Sequence, residues 1–156
     1  MEGTKTPQQI SEYAKVFFAK IDTLADREKI KAKINKAQKN VNFNMRAPSI
    51  IRKKMLMYDN PIEEMNFLYA TQKSKFFNRE SDVLLIFLAD KYGFGNWSKI
   101  KQAVRRDSRC RLDHLFISRS EDELKKRTIY LVQCLEKEEE ENKLVKAHNA
   151  NLDLEA

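Results

Sequence analysis

Apolar side chains recur at intervals of three and four residues along most of this chain, which is the spacing of one face of a helix. Val and Ile do not gather in alternating apolar and polar runs, the pattern typical of half-buried strands. Glycine and proline, which mark turns, number three each among 156 residues. The pattern therefore predicts an all-α fold.

The first predicted helix begins after Thr6. Thr6 and Gln9 have the spacing of a capping box, and Pro7 suits the first helical position. Nothing that precedes this helix in the chain is expected to cover its wide apolar face fully. The expected face consists of Ile10, Tyr13, Ala14, Phe17, Phe18, Ile21 and Leu24.

Residues 26–58 predict a basic spacer helix. Asp26 can cap its start, and apolar residues are so sparse up to Met45 that the helix is polar nearly all round. Pro48 cannot continue a helix without disturbing it, so we expect a break or kink there and a second helix that ends near Tyr58.

Residues 59–76 predict a connecting strap that begins with a turn at Asp59, Asn60 and Pro61. The apolar residues after this turn indicate a short helix or an extended segment that packs on the next part of the chain, with a loop at 71–75. The tail 143–156 is expected to be disordered.

Residues 77–142 predict a bundle of three helices. Asn78 can cap the first helix, which ends at Gly93, and Asn96 can cap the second. Ser120 and Glu123 have capping-box spacing at the start of the third helix. Three helices with a glycine-containing turn after the first are typical of the helix-turn-helix class.

The charge is strongly basic and uneven. The net charge is +7, which favours a polyanion such as nucleic acid or an anionic membrane. No apolar run approaches the roughly 20 residues that a membrane span needs. Residues 1–75 carry 15 Lys/Arg and 8 Asp/Glu, whereas residues 76–156 carry 15 of each. In that second half, a basic stretch at 99–111 contrasts with an acidic run at 136–141.

Enzyme, metal and cofactor chemistry find no support in the sequence. Cys110 and Cys134 are not in a CxxC pair, and we interpret them as free thiols. His114 and His148 have no Cys, Asp or Glu at ligand spacing. A phosphate-binding GxxxxGK[ST] loop is absent, as is any recognisable pair of nucleophile and base. We therefore predict no cofactor, no metal and no enzymatic activity.

Several segments, in the same order, resemble the SLIDE domain of ISWI chromatin remodellers, a relative of the Myb/SANT domains. The segments are "NRESDVLL", "YGFGNWSKIKQAV" and "RLDHLFISRSEDELKKR", preceded by "EGTKTPQQISEYAKVFFAKIDTL", "DREKIKAKINK" and "YDNPIEEMNFLYATQKSK". This resemblance covers residues 2 to about 142.

The resemblance implies a fragment of a larger remodeller with an elongated, all-α architecture. Residues 1–25 would be the last helix of a SANT-like domain, 26–58 the spacer and 77–142 the SLIDE bundle. The implied function is a non-catalytic module that binds double-stranded linker DNA and nucleosomes in the nucleus and supports nucleosome spacing. Histone tails and accessory subunits of the remodeller are further partners that the family suggests.

The candidate DNA-binding residues are basic side chains around the second and third helices of the bundle and in the strap. Asp107 is the only acidic residue in the basic stretch 99–111. The cations of this stretch are therefore expected to face phosphate rather than to pair with neighbouring acids. Arg119 could equally serve as a cap or ion-pair residue. The full set is Lys99, Lys101, Arg105, Arg106, Arg109, Arg111, Arg119, Lys125, Lys126, Lys73 and Lys75.

Two alternatives remain open on the sequence alone. A scaffold would bind histone tails, which are basic, through the acidic run at 136–141, or a partner protein through the apolar face at Phe17 and Phe18. A sequence-specific Myb-like factor would read bases with its third helix, but that helix begins with Glu121, Asp122 and Glu123, which repel phosphate. Contact with the DNA backbone is the interpretation that the charges favour.

Overall fold

The computed structural model describes residues 5–69 and 76–152, with side chains described up to residue 145. In these ranges the regular structure is entirely helical, which confirms the predicted all-α class. Two short 3₁₀ turns, Ile21–Thr23 and Ser108–Cys110, accompany the α-helices. The α-helices are α1 (Pro7–Lys20), α2 (Arg27–Met55), α3 (Pro61–Glu64), α4 (Arg79–Tyr92), α5 (Trp97–Arg106), α6 (His114–Ile117) and α7 (Glu121–Leu152).

The chain divides into two compact units, and the first covers residues 1–42. It contains α1 and the start of α2. The predicted capping box is present, because the Thr6 amide donates to Gln9 Oε1 at 3.0 Å and the Gln9 amide donates to Thr6 Oγ1 at 3.3 Å. Ile21 is buried, but much of the apolar face of α1 is solvent-exposed, as Tyr13 and Phe18 show with exposures of 65% and 57%.

Helix α2 continues through Pro48, so the predicted break and separate second helix are wrong, while the alternative of a kink at this residue stays a prediction. Pro48 is exposed, while Ala47, Ile51 and Met55 on the buried side of α2 join the core of the second unit. Proline costs a helix one backbone hydrogen bond. Burial of neighbouring apolar residues on consecutive turns offsets that cost, and this tertiary packing is not visible in the local sequence.

The second unit, residues 43–156, is built around α4, α5 and α7, which pack on one another. Asn78 caps α4 in a capping box with Ser81, with hydrogen bonds of 2.8 and 2.9 Å. Gly93 ends α4 with a φ of +90°. The largest fully buried side chains of this core are Phe116, Ile51, Met65, Leu85, Ile86, Ile100, Leu124 and Leu131.

The strap crosses this core before α4 begins. After the single turn of α3, residues 65–69 form no regular structure, and Met65 and Phe67 are buried in the core. Tyr69, two residues after Phe67, donates a hydrogen bond from its hydroxyl to Asp82 of α4. The loop expected at 71–75 lies outside the described residues.

Helix α7 is longer than predicted. It begins at the expected capping box, in which the Glu123 amide donates to Ser120 Oγ at 3.2 Å and the Ser120 amide donates to Glu123 Oε2 at 2.8 Å. It then runs to Leu152, so the prediction of a disordered tail from residue 143 is wrong for 143–152. An ion pair of 3.2 Å between Lys143 and Glu139, one turn apart, supports the extension.

Candidate nucleic-acid interface

Helix α5 carries the densest group of candidate DNA-binding residues, and a tight turn determines where it begins. Gly93 and Gly95 have φ values of +90° and +106°, which residues with a Cβ rarely adopt. The Asn96 side chain does not cap α5 as predicted, because its Nδ2 donates instead to the Tyr92 carbonyl at 2.6 Å. This bond closes the turn and fixes α5 relative to α4.

The inner side of α5 packs on the bundle and orients the rest of the helix. Ile100 and Val104 are buried, and Trp97 and Ala103 are half-buried. Trp97 packs edge to face against Phe94, with ring centroids 5.2 Å apart. These contacts confirm the predicted core positions of α5 and leave its polar positions on the outer side.

The outer side of α5 has cations on two flanks. Since successive residues are about 100° apart around a helix axis, Lys99 and Arg106 share one flank, and Lys101 and Arg105 share the other. Lys101 is half-buried and the other three are exposed. Across the part of the chain that is described, none of the four forms an ion pair with a carboxylate.

A shallow depression of about 300 Å³ lies between α4 and the first of these flanks. Lys99, Arg106 and Arg109 line it together with Lys91, which the sequence reasoning missed. Lys91 lies in the last turn of α4, where a basic residue has a routine helix-dipole explanation. Only the packing of α4 against α5 brings it to the predicted cluster.

Arg109 is near this group but is already paired. Its Nε and Nη2 donate to the two carboxylate oxygens of Asp107 at 2.8 and 2.6 Å, and its guanidinium lies 5.8 Å from the centre of the Phe87 ring. The hydrogen bond from Arg109 lowers the pKa of Asp107 and raises that of Arg109. Arg109 therefore neutralises the acid at the end of α5, while Arg111 is exposed and has no carboxylate partner among the described side chains.

Arg119 has a structural role in the protein as described. It donates to the Leu115 carbonyl at 2.8 Å and to Glu123 Oε1 at 2.9 Å, and it lies 4.9 Å from the centre of the Phe76 ring. Hydrogen bonds from Ser120, and then the charge of Arg119, hold the pKa of Glu123 below its usual value. The sequence left phosphate contact and a structural role as a cap or ion-pair residue even, and these contacts favour the structural role.

The remaining candidates differ in their surroundings. Lys125 and Lys126 are exposed in the first part of α7, close in sequence to the exposed acids Glu121 and Asp122. Lys73 and Lys75 lie outside the described residues.

Arg127, the next residue, is half-buried, and its side chain forms part of a polar network inside the bundle. Its Nε and Nη2 donate to the two oxygens of Asp82 at 2.8 and 2.6 Å, and the Tyr69 hydroxyl donates to the same carboxylate at 2.9 Å. Burial, followed by the negative charge of Asp82, raises the pKa of Tyr69. The guanidinium also lies over the rings of Phe77 and Tyr130, at 5.2 and 5.1 Å.

Most carboxylates in the acidic run of α7 are paired with basic side chains of α2. Lys54 donates to Glu138 at 2.5 Å, and Lys53 donates to Glu139 at 3.0 Å. Arg46 also forms an ion pair with Glu136, at 3.4 Å. These contacts give the run a role inside the unit and leave fewer carboxylates for a basic partner than the sequence suggested.

The described residues give little support for a reactive thiol, a metal site or a membrane-spanning helix. Cys110 and Cys134 are buried and unpaired, and burial raises the pKa of Cys110 to about 11. The described residues contain no group of three or more His, Cys, Asp and Glu that could hold a metal ion. None of the described helices has both the length and the apolar character needed to cross a membrane.

Comparison with known proteins identifies the class of protein to which the chain belongs. The SLIDE family model matches residues 28–139, and the chain therefore belongs to the SLIDE family. The matched region is a non-catalytic part of remodeller ATPases.

The similar curated proteins are remodellers of the ISWI type. The chain is 34% identical to the probable chromatin-remodeling complex ATPase chain of Oryza sativa and 35% identical to the ISWI chromatin-remodeling complex ATPase CHR11 of Arabidopsis thaliana. Each alignment covers 90% of this chain and 13% of the relative. Identity to the human SWI/SNF-related matrix-associated actin-dependent regulator of chromatin subfamily A member 1 is 30%, over 88% of this chain. The chain thus matches a segment of an ISWI-type remodeller, as its sequence motifs predicted.

Proposed function

We propose that this segment binds double-stranded linker DNA through the phosphate backbone, with little preference for sequence. It would do so in the nucleus, as the part of an ISWI-type remodeller that engages DNA beside the nucleosome and supports nucleosome spacing. The observation that carries the proposal is the set of α5 cations without carboxylate partners among the described side chains, namely Lys99, Lys101, Arg105 and Arg106.

The lack of ion pairs on α5, within the described ranges, is informative because other basic residues of the same unit do have partners. Arg46, Arg52 and Lys53 of α2 each contact a carboxylate, at 3.4, 2.8 and 3.0 Å. A cation that is not neutralised within the protein retains its full charge for phosphate. Each phosphate that it neutralises releases condensed counterions, which makes binding strongly dependent on salt.

Backbone contact is favoured over base reading by α7. The first turn of α7 contains the exposed acids Glu121 and Asp122, and the neighbouring Glu123 is held by Ser120 and Arg119. Negative charge suits the N-terminus of a helix but opposes its entry into a groove bordered by phosphates. Phosphate contacts carry no sequence information directly, in keeping with a protein that acts on any sequence.

The experiment is a titration of fluorescently labelled duplexes, measured by anisotropy at several KCl concentrations. The wild-type protein is expected to bind two unrelated duplexes of equal length with similar affinity, and log K is expected to fall linearly with log[KCl]. Changing all four α5 cations to Gln is expected to remove about four phosphate contacts and to reduce the slope by about 3.6.

The matched control changes Arg46, Arg52 and Lys53 of α2 to Gln. These cations are already paired with carboxylates, so their loss is expected to change the slope much less.

Undetectable binding at low salt, or an affinity insensitive to salt, would refute the proposal. A sharp sequence motif from a random-sequence selection would favour the Myb-like alternative. A mobility-shift assay is expected to show tighter binding to mononucleosomes with linker DNA than to those without.

A further inference from the structure

The arrangement of side chains around α5 extends the proposed function to a specific docking geometry, and the inference rests on that function. Ser98 and Gln102 lie between the two cation-bearing flanks, because the helical rotation of about 100° per residue places them opposite Ile100 and Val104. Both residues are exposed. The outermost ridge of α5 is therefore uncharged and polar.

The chemistry of this ridge matches a groove of DNA. The major groove is about 12 Å wide, admits one α-helix and is bordered by a phosphate backbone on each side. A helix inside it needs a ridge that bases tolerate and cations on both flanks. Helix α5 has that pattern, with Lys99 and Arg106 on one flank and Lys101 and Arg105 on the other.

Two features of the surroundings support the choice of α5 over α7. Helix α5 contains no acidic residue, and the acid that comes directly after it, Asp107, is neutralised by both guanidinium contacts from Arg109. The first turn of α7, in contrast, carries Glu121 and Asp122 exposed and without basic partners in the described part of the chain.

We infer that α5 lies in the major groove of the bound duplex, with Ser98 and Gln102 facing the base edges and the cations of each flank contacting a different strand. Gln102 has an amide that can donate and accept, and Ser98 has a hydroxyl that does the same. Such groups can bond to any base pair directly or through water, which is compatible with weak sequence preference.

The first test separates the two flanks. Lys99→Gln with Arg106→Gln removes the cations of one flank, and Lys101→Gln with Arg105→Gln removes those of the other. If the flanks contact opposite strands, each double variant is expected to lower the slope of log K against log[KCl] by about 1.8, and the losses are expected to add. If loss of the cations of either flank leaves the slope of log K against log[KCl] unchanged, the groove geometry is overturned.

The second test blocks the groove itself. In duplexes with glucosylated 5-hydroxymethylcytosine, the sugars fill the major groove and leave the phosphates in place. We expect these duplexes to bind about tenfold more weakly or worse, a loss of about 1.4 kcal/mol. A ligand that occupies the minor groove is expected to leave affinity unchanged.

The possible results distinguish the inference from the function on which it rests. Equal affinity for glucosylated and plain duplexes, together with a steep salt dependence, would refute the groove geometry and leave phosphate binding intact. No binding to plain duplex would refute both. Circular dichroism and thermal unfolding of each double variant verify that the bundle remains folded, as expected for side chains outside the core.

Discussion

Arg127 of α7 and Asp82 of α4 form a two-pronged ion pair inside the bundle, with hydrogen bonds of 2.8 and 2.6 Å. Asp82 is fully buried and the Arg127 side chain is only 11% exposed. Tyr69 of the strap donates a third hydrogen bond to the same carboxylate. One buried acid thus joins the strap, α4 and α7, and its loss of hydration is offset only while those partners remain.

Arg127→Met is therefore expected to destabilise the protein by about 3–5 kcal/mol, because it leaves a buried carboxylate with a single neutral donor. Urea unfolding followed by circular dichroism measures the change. The matched control is Arg52→Met, which breaks an ion pair with Asp90 whose Arg52 side chain is 63% exposed. A surface pair of this kind is expected to cost about 0.2–1 kcal/mol. Similar losses in the two variants would contradict the assigned role of the network.

Asp107→Asn is expected to strengthen DNA binding. The amide can still accept the Arg109 backbone hydrogen bond at 3.0 Å, but it no longer holds the guanidinium as a charged partner. The change adds one net positive charge beside α5 and releases Arg109, so the salt slope is expected to steepen by up to about 0.9. Asp90→Asn makes the same charge change next to Arg52 and is expected to have a smaller effect. Weaker binding by Asp107→Asn would show that the pair itself is needed.

Gly93→Ala is expected to cost more stability than Gly95→Ala. Both glycines have positive φ, so each substitution carries a backbone penalty of about 1–2 kcal/mol. A Cβ on Gly93 would also lie 3.1 Å from Asn96 Nδ2, which makes the bond that closes the turn, whereas a Cβ on Gly95 meets no atom within 4 Å. Thermal unfolding of both variants measures the difference. Equal losses would mean that Asn96 shifts without cost.

Stability is expected to fall in acid, in part through Glu139. Hydrogen bonds from Lys53 and then Lys143 hold the pKa of Glu139 below its ordinary value of 4.5. A carboxylate with a lowered folded-state pKa stabilises the fold above its unfolded pKa, and this contribution is lost as the pH falls through the folded value. Glu139→Gln is therefore expected to reduce the difference in unfolding free energy between pH 7 and pH 3.

The matched control for the pH experiment is Glu140→Gln. Glu140 is exposed and has no ion-pair partner among the described side chains. Its removal is expected to leave the pH dependence nearly unchanged. Parallel curves for wild type and Glu139→Gln would show that the contacts of Glu139 with Lys53 and Lys143 do not persist in solution.

Local signals in the sequence predicted the helix starts better than the helix ends. The capping boxes at Thr6 and Ser120 depend on residues three apart, and both form as expected. The path through Pro48 depends on where Ala47 and Ile51 are buried, and the carboxylates of Glu138 and Glu139 on α7 pair with lysines of α2. The α2 partners of those carboxylates are 84 and 86 residues away in sequence, so a local pattern cannot reveal them.

In the candidate site, too, features set by the local sequence could be predicted, whereas features set by distant contacts could not. The helical period was enough to place Lys99 and Arg105 on the outer side of α5, since the core positions repeat within ten residues. It could not show that the Arg127 side chain turns inward while its neighbour Lys126 is exposed, because that depends on Asp82. It also missed Lys91, which reaches the cluster only through the packing of α4 on α5.

The separation of core and cation positions on α5 has a consequence for how such a domain can evolve. Ile100 and Val104 hold the helix in the bundle, and no cation of its outer side contributes an ion pair to the described fold. Single exchanges between Lys or Arg and Gln on that side are therefore nearly neutral for folding. Under the proposed function, they would shift the ionic strength at which DNA is released, so that a lineage could adjust the affinity for chromatin to its own nuclear salt concentration without changing the core of the domain.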